Sequence, residues 1–375
     1  MRIGKIGTLI RAYEAAGIAP YLEGAPGCGK SRLVWALCDA DEIACIDVRL
    51  ALLNPVDLRG IPVVKGGRVV WVPPVFLKEN ACRFFLDELP NAPPATQAAA
   101  YQWILDHGIG EWRMNREWTT TKTGHKRPFQ TIIAAGNRAT DQAFVHQMAA
   151  PLRNRLGKIE VETNFEDWRE WAYKHGIDRT VINFLAFTAR INLGIGSDAS
   201  GAGLLFWFDK RAHANSQFPT PRSWEFVSNF LKANPGMRRF VEAYTGLVGE
   251  AVAQKFAAFI AVEDKLPNAD EIVRQGKIGI SPPDARREPS ATFAFCGALA
   301  AALIRVEDPD ERLKATRHAA AYCTKWWGTD DQEFAILTMK DFARTEEYKA
   351  IYRKVVVTPE WTAFTKTFHD LMGEA

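Results

Sequence analysis

The chain has 375 residues, of which 47% are hydrophobic and 24% charged, with a net charge of +3. These values are typical of a globular protein of two or three domains, and the weak charge balance neither requires nor excludes a nucleic-acid ligand. No apolar run is long enough to span a membrane. The longest, residues 291–306, predicts a buried helix instead.

The first part of the chain predicts strands that alternate with helices. An amphipathic helix is expected over 6–17, and a short strand over 19–24 runs into a glycine-rich loop and a helix. Further strands are predicted at 44–50, 82–89, 130–137 and 157–162, with helices between them such as 94–108. Alternation of this kind implies a parallel sheet covered on both faces.

Two segments interrupt that alternation. Residues 61–74, "IPVVKGGRVVWVPP", predict a hairpin that turns at Gly66-Gly67. Residues 110–130 predict a second hairpin or a long loop before the fourth strand. Both are interpreted as insertions into the α/β core.

After about residue 164 the strand signal fades and helices are predicted to the end of the chain. We expect an α/β domain over 1–164, a helical domain over 165–263 and a helical C-terminal region over 264–375. A loop of small residues, "GIGSDASGAG" (194–203), lies within the predicted helical domain.

The cysteines indicate the redox state of the compartment, and the histidines indicate whether a metal site is expected. Six cysteines show no C-x-x-C pairing and several fall in apolar segments, at positions 28, 38, 45, 82, 296 and 323. This predicts buried free thiols in a reducing compartment, and hence a cytoplasmic protein. The seven histidines form no H-x-x-x-H pair, which argues against a structural zinc site.

The stretch "GAPGCGKS" has the G-x-x-x-x-G-K-S spacing of a phosphate-binding loop. Its glycines let successive N–H groups face one anion, Lys30 reaches the outer phosphates and Ser31 is placed to hold Mg²⁺. The strand before it and the helix after it are the context such a loop needs. The candidate nucleotide-binding residues are Gly24, Ala25, Pro26, Gly27, Cys28, Gly29, Lys30, Ser31 and Arg32.

Two later strands end in polar residues that suit hydrolysis. "RFFLDEL" ends in Asp87, which can hold the Mg²⁺ shell, and Glu88, which can polarise an attacking water. "TIIAAGN" ends in Asn137, which can lie beside the water and the γ-phosphate. The alternatives are that Asp87-Glu88 merely caps a strand and that Asn137 belongs to an ordinary turn.

In this order, "GAPGCGKS", "FFLDEL" and "IIAAGN" resemble the AAA+ ATPases, and "LDELPNAPPATQAA" is similar to a segment of the MoxR-like ATPases. "NPVDLRGIP…RVVWVPPVF" resembles the helix-2 insert of that clade, and 110–130 falls where its pre-sensor hairpin lies. The resemblance covers about residues 1–235. It implies an α/β fold, with an AAA+ P-loop NTPase core, a parallel sheet and hairpin inserts, then an α-helical lid and a helical C-terminal region.

The resemblance also implies roles for single residues. Asn137 would be the sensor-1 residue, and Arg222 in "FPTPRSWEF" would touch the γ-phosphate from the lid. In "APLRNRLGKIEV", Arg155 would be the arginine finger that reaches a neighbouring subunit's ATP, with Arg153 as its rival. Each arginine could instead be a solvated surface charge. Arginine suits the finger role because its planar guanidinium is always charged.

The second insert carries Trp112, Arg113, Arg116, Trp118, Lys122, Lys126 and Arg127. Basic residues interleaved with aromatics can hold single-stranded nucleic acid or grip a polypeptide in a ring's pore. They can also belong to a solvated hairpin with one packed tryptophan. We favour contact with a pore or a partner.

The sequence thus predicts an ATPase that uses ATP and Mg²⁺, assembles as a homo-oligomeric ring, expected to be a hexamer, and remodels or activates a partner protein in the manner of a chaperone. Relatives of this type often work with a protein that bears a von Willebrand factor A domain, which the resemblance alone implies. The alternative is a nucleic-acid-stimulated motor or DNA-processing ATPase. A third hypothesis is a nucleotide-gated scaffold that barely hydrolyses ATP, against which the intact Asp87-Glu88 pair argues.

Overall fold

The computed structural model describes residues 3–77, 80–138, 146, 148–191, 203–208, 216–343 and 345–369. The chain forms two compact units, Met1–Asp167 and Trp168–Ala375. The predicted division of the second unit into a lid and a C-terminal region stays a prediction. The small-residue loop 194–203 lies outside the described residues except for Gly203.

The first unit is built on a five-stranded sheet in which every neighbouring pair is parallel. The strands are β1 (Ala19–Gly24), β2 (Ala44–Arg49), β3 (Ile61–Lys65), β4 (Arg68–Val72), β5 (Cys82–Asp87), β6 (Gly108–Ile109), β7 (Trp112–Arg113), β8 (Trp118–Thr120), β9 (Lys126–Pro128), β10 (Gln130–Gly136) and β11 (Leu156–Val161). The central sheet has the order β11-β1-β10-β5-β2, and the other strands form two-stranded pairs. Because the central strands are all parallel, β1, β5 and β10 end at one edge of the sheet.

The helices of this unit cover the sheet on both faces. They are α1 (Ile3–Ala15), α2 (Lys30–Asp41), α3 (Pro55–Arg59), α4 (Pro94–Asp106), α5 (Ala150–Arg153) and α6 (Phe165–Lys174), the last of which runs into the second unit. One core gathers Phe84 of β5, Trp103 of α4 and Ile132 of β10. On α1 and α2, Ile6, Ile10 and Val34 are also buried.

A buried ionic network joins α1, α2 and β5. Arg83 donates to both carboxylate oxygens of Glu14 at 2.8 Å and to Asp41 at 2.6 Å. Arg11 and the hydroxyl of Thr123 also donate to Asp41. Since a buried charge is tolerated only when it is paired and hydrogen-bonded, this network fixes both helices against the sheet.

The two inserts differ in how they pack. The β3–β4 hairpin turns at Gly66 and Gly67, as predicted, and these glycines have φ of +60° and +73°. All of its strand residues are exposed. The second insert forms the short pairs β6–β7 and β8–β9. Backbone hydrogen bonds hold this insert to the sheet. For example, the N–H of Gln130 on β10 donates to the carbonyl of Asn115 at 3.0 Å.

The described part of the second unit is helical. Its helices are α7 (Arg179–Ile191), α8 (Pro221–Ala233), α9 (Val241–Val248), α10 (Glu250–Glu263), α11 (Ala269–Gln275), α12 (Pro289–Ile304), α13 (Pro309–Trp327), α14 (Gln332–Ala343), α15 (Glu346–Val355) and α16 (Pro359–Thr367). The apolar run 291–306 forms most of α12, which is buried as predicted. The break between α9 and α10 falls at Gly249, whose φ of +84° few other residues adopt.

The α/β fold class predicted from the sequence is confirmed: the core has a parallel sheet, a phosphate-loop sequence after β1 and hairpin inserts, and a helical region follows it. All five predicted core strands are present within a few residues of their expected bounds. The described cysteines are free, and five of the six are buried.

Candidate functional site

The glycine-rich loop lies between β1 and α2, at the carboxyl edge of the sheet. Gly27 and Gly29 adopt left-handed backbone conformations, with φ of +73° and +96°. Gly24 is needed for a different reason, because a Cβ there would lie 2.7 Å from the carbonyl oxygen of Val161 on β11. The first N–H groups of a helix have no partner within it, so the start of α2 presents donors and a positive dipole end to an anion.

Lys30 is buried at the centre of this loop. Its ammonium group donates to the carbonyl oxygens of Gly24 at 2.8 Å and Ala25 at 2.9 Å, and to Oδ1 of Asn137 at 2.9 Å. The last bond joins the loop to the end of β10, more than a hundred residues along the chain. The structure therefore brings Lys30 and Asn137 together.

Ser31 and Asp87 form the second contact across the site. The Ser31 hydroxyl donates to Oδ2 of Asp87 at 2.8 Å, while Oδ1 of Asp87 accepts from the N–H of Glu88 at 2.9 Å. A hydroxyl and a carboxylate side by side are hard oxygen ligands, and Mg²⁺ is commonly held by one or two such groups with waters completing its shell. These residues fit Mg²⁺.

Glu88 has a strained backbone. Its φ of +58° and ψ of +33° place a non-glycine residue in the left-handed region, immediately before the 3₁₀ turn Leu89–Asn91. Such conformations cost of order 1–3 kcal/mol and cluster at functional sites. The turn packs closely on β10, since a Cβ on Gly136 would lie 2.3 Å from Cδ of Pro90. The strained turn thus fixes the backbone of Glu88 at the end of β5, and Pro90 holds the turn against β10, the strand that leads to Asn137.

Cys28 and Arg138 complete the surroundings of the loop. Burial raises the pKa of the Cys28 thiol, against smaller opposing effects of Lys30 and Arg138. Arg138 is half-buried and donates to the carbonyl of Val161 at 3.2 Å, beside the register partner Gly24. Arg138 was not among the predicted site residues, although its place directly after Asn137 in "GNR" could have suggested it.

The three candidate arginines are exposed on their respective units. Arg153 ends α5 and Arg155 follows it, and both are exposed. The Arg155 guanidinium donates to the carbonyl of Pro151 at 2.8 Å and lies 5.1 Å from the ring centroid of Tyr101. Arg222 is exposed in the first turn of α8, in the other unit. Their predicted roles stay predictions, as does that of exposed Arg32.

The second insert uses many of its basic and aromatic residues internally. Trp112 packs edge-on against Phe84, with ring centroids 5.6 Å apart. Arg127 is buried and donates to the carbonyl of Cys82 and the hydroxyl of Thr131. Arg116 contacts His107, and Lys122 pairs with Glu42. The exposed members of the predicted set are Arg113, Trp118, Lys122 and Lys126.

No helix among the described residues combines the length and apolarity that crossing a membrane requires. No protein-family model matches the chain, and no curated protein does.

Among solved structures, the chain is similar to RuvB of Thermotoga maritima, described as a Holliday junction branch migration motor. The identity is 18% over 80% of this chain and 80% of that chain, with a TM-score of 0.35. The chain is also similar to NtrX from Brucella abortus in complex with ADP, with 12% identity over 94% of this chain and 67% of that chain and a TM-score of 0.36. These similarities are too distant to carry an inference about activity or partners.

Proposed function

We propose that this protein is an Mg²⁺-dependent AAA+ ATPase of the MoxR-like type, which works as a ring and remodels or activates a partner protein. The observation that carries the ATPase proposal is the meeting of Lys30, Ser31, Asp87 and Asn137 at one sheet edge, with Glu88 held in a strained turn beside them. A solvated loop or a simple strand cap would not require that strain.

Each side chain has a distinct task in this proposal. The loop N–H groups and Lys30 bind the phosphates, and Ser31 with Asp87 holds Mg²⁺, which would neutralise the charge on the transferring phosphoryl group. Glu88 accepts a proton from the attacking water, and Asn137 orients that water. Lys30 already donates to Asn137 at 2.9 Å, so the residue that binds phosphate and the residue that orients water are positioned together.

In this proposal, assembly of the ring brings one further positive charge, that of Arg155, to the nucleotide. The guanidinium of Arg155 is exposed and would reach a neighbouring subunit's nucleotide only when subunits meet, which would couple hydrolysis to ring formation. In rings mixed with wild-type protein, Arg155→Ala subunits should lower the activity of their neighbours. If Arg153→Ala does so and Arg155→Ala does not, the finger is Arg153.

A protein client is favoured over nucleic acid by the nature of the exposed inserts. The β3–β4 hairpin exposes valines on both faces, with Val64 77% and Val69 61% exposed, and its charged strand residues are limited to Lys65 and Arg68 beside the turn. In the second insert, Arg127 is buried, and Arg116 and Lys122 bind protein groups. Binding to DNA or RNA depends on phosphate contacts by basic side chains. A partner bearing a von Willebrand factor A domain is one proposed client.

The test is the ATPase rate with and without single- and double-stranded DNA, followed by capture of partners. We expect Mg²⁺-dependent turnover that DNA does not change, and retention of a protein client by an ATP-loaded Glu88→Gln ring. Strong stimulation by DNA that disappears at high salt would instead establish the nucleic-acid motor. Lys30→Ala should remove both ATP binding and client retention.

A further inference from the structure

Two cysteines of the first unit lie together between α2 and the sheet. Arg83 on β5 points toward α2, because its Nη1 donates to the carbonyl of Leu37 at 3.2 Å. Cys45 on β2 is the register partner of Arg83. Since partners in adjacent parallel strands share a face of the sheet, Cys45 also points toward α2, where Cys38 follows Leu37. Cys38 is buried on the same face of α2 as Leu37 and Asp41, so both thiols lie in the space between this helix and the sheet.

The environment shifts the pKa values of the two thiols in opposite directions. A hydrogen bond from Cys45 lowers the pKa of the Cys38 thiol, and the charge of Arg83 acts in the same direction against burial. The same bond and burial raise the pKa of Cys45. Cys38 is buried and Cys45 is half-buried, so solvent reaches the pair from the Cys45 side. A thiol of lowered pKa beside a solvent-accessible second thiol is an arrangement that favours reaction with oxidants.

The other four cysteines include no solvent-accessible thiol. Cys82 neighbours Arg83 in sequence, but strand alternation places it on the opposite face, in the core that contains Trp103. Burial raises the pKa of Cys82 to about 12 and that of Cys323 well above its usual value. Cys28, Cys82, Cys296 and Cys323 are all buried. The pair is therefore distinguished from the other four by solvent access through half-buried Cys45 and by the lowered pKa of Cys38.

We propose that Cys38 and Cys45 are a redox-active dithiol that closes to a disulfide in the presence of a peroxide. The Cys38 thiolate attacks one peroxide oxygen, the O–O bond breaks, and hydroxide leaves as Cys38 becomes a sulfenic acid. The Cys45 sulfur then attacks the Cys38 sulfur, the S–O bond breaks, and the Cys45 thiol proton leaves with the oxygen as water. Two electrons pass from the sulfurs to the peroxide, and an added dithiol reverses the reaction.

The disulfide would join the last turns of α2 to β2. The closed segment 38–45 contains Asp41, the acceptor for Arg83, and Glu42, whose φ of +52° ends the helix. The same helix begins with Lys30 and Ser31. The modification would therefore fix the far end of the helix that starts at the phosphate loop.

The full chain offers a direct chemical test. After hydrogen peroxide treatment and alkylation of the remaining thiols, trypsin should release residues 33–49, which contain both cysteines and no internal Lys or Arg. The proposal expects this peptide to lose two hydrogen atoms and to bear no alkyl group. Cleavage after Glu42 should then leave two pieces that separate only on addition of dithiothreitol.

Variants and an unfolded control complete the test. Cys82→Ala should keep the linkage, and Cys45→Ser should abolish it and leave Cys38 as a sulfenic acid that a dimedone probe captures. In urea, peroxide should give mixed pairings instead. The proposal is overturned if the native peptide carries two alkylated cysteines, if Cys45 is oxidised to a sulfinic acid without linkage, or if native and unfolded chains give the same pairings.

Discussion

The two inserts of the first unit differ in how far they pack on its core. The first, β3–β4, is rich in valine yet exposes every strand residue. The second, residues 110–130, is rich in basic residues yet buries Arg127 and packs Trp112 on the core. Composition alone would suggest the reverse. The difference shows that available partners, rather than residue type, determine whether an insert is anchored.

The physical reason lies in what each insert meets. The second insert reaches carbonyl and carboxylate acceptors at the amino-terminal edge of the sheet, including the carbonyl of Cys82 and Asp41. The first has only its own two strands, and an isolated two-stranded hairpin is at best marginally stable in water. We therefore expect the first insert to serve contact with a partner and the second to be part of the folded unit.

The largest effect on stability is expected in the buried ionic network that binds Thr123 of the second insert. Arg83→Met would leave buried Glu14 without its cationic partner and Asp41 with Arg11 as its remaining ion pair, which should cost about 3–5 kcal/mol of unfolding free energy. Urea unfolding measures it. Arg49→Met is the matched control, because Arg49 pairs with Asp47 at the surface and should cost below about 1 kcal/mol. Equal losses for the two would contradict the burial argument.

Trp112→Ala should cost about 2 kcal/mol of unfolding free energy, less than a fully buried tryptophan because Trp112 is only half-buried. The control in the same insert is Trp118→Ala, which removes an exposed ring and should change stability by below about 0.5 kcal/mol. Thermal or urea unfolding compares them. If Trp118→Ala were as costly, the insert would be packed differently from this account.

Acid should weaken the attachment of the second insert to the core, because Thr123 binds the carboxylate of Asp41. Burial alone would raise the pKa of Asp41, but hydrogen bonds from Arg11, Arg83 and Thr123 lower it to about 2 from 3.8. Because the folded-state pKa is depressed, this stabilisation is complete above about pH 4 and is lost as the pH falls toward 2.

Thr123→Val removes one of those bonds at a cost of about 1 kcal/mol and should move the acid-unfolding midpoint to higher pH. Thr120→Val, at an exposed position of β8, should leave the midpoint in place. An unchanged midpoint for Thr123→Val would show that its hydroxyl does not support Asp41.

The smallest effect on stability, and the largest on partner contact, is expected in the first insert. The double change Val64→Ser and Val69→Ser should alter the unfolding free energy by below about 0.5 kcal/mol, since both side chains are exposed. It should nevertheless reduce client retention by the ATP-loaded ring. Val357→Ser, a 77% exposed position in the second unit, is the control. Full retention by the double variant would remove the hairpin from client contact.

The sequence was sufficient for the elements whose signal is local. Five apolar runs predicted five strands, and Gly66-Gly67 predicted the turn of the first hairpin. The pairs Lys30–Asn137 and Ser31–Asp87 could be anticipated only because polar residues at the ends of parallel strands share an edge.

Long-range polar contacts were not predictable in the same way. Glu14, Arg83 and Asp41 are far apart in sequence, and an arginine inside the apolar run "CRFFLD" gives no sign of its acceptors. The burial of Arg127 was missed because a basic residue in an insert resembles a surface residue until the carbonyl of Cys82 is placed beside it. The strain at Glu88 likewise follows from the turn between β5 and the start of α4.

The central claim is that Glu88 activates water at a site that binds ATP without it. The most direct measurement is ATP binding and hydrolysis by Glu88→Gln beside Glu117→Gln, an exposed glutamate of the second insert. The account predicts unchanged ATP affinity for both proteins and a loss of at least about 100-fold in kcat for Glu88→Gln alone. Wild-type turnover by Glu88→Gln would contradict it.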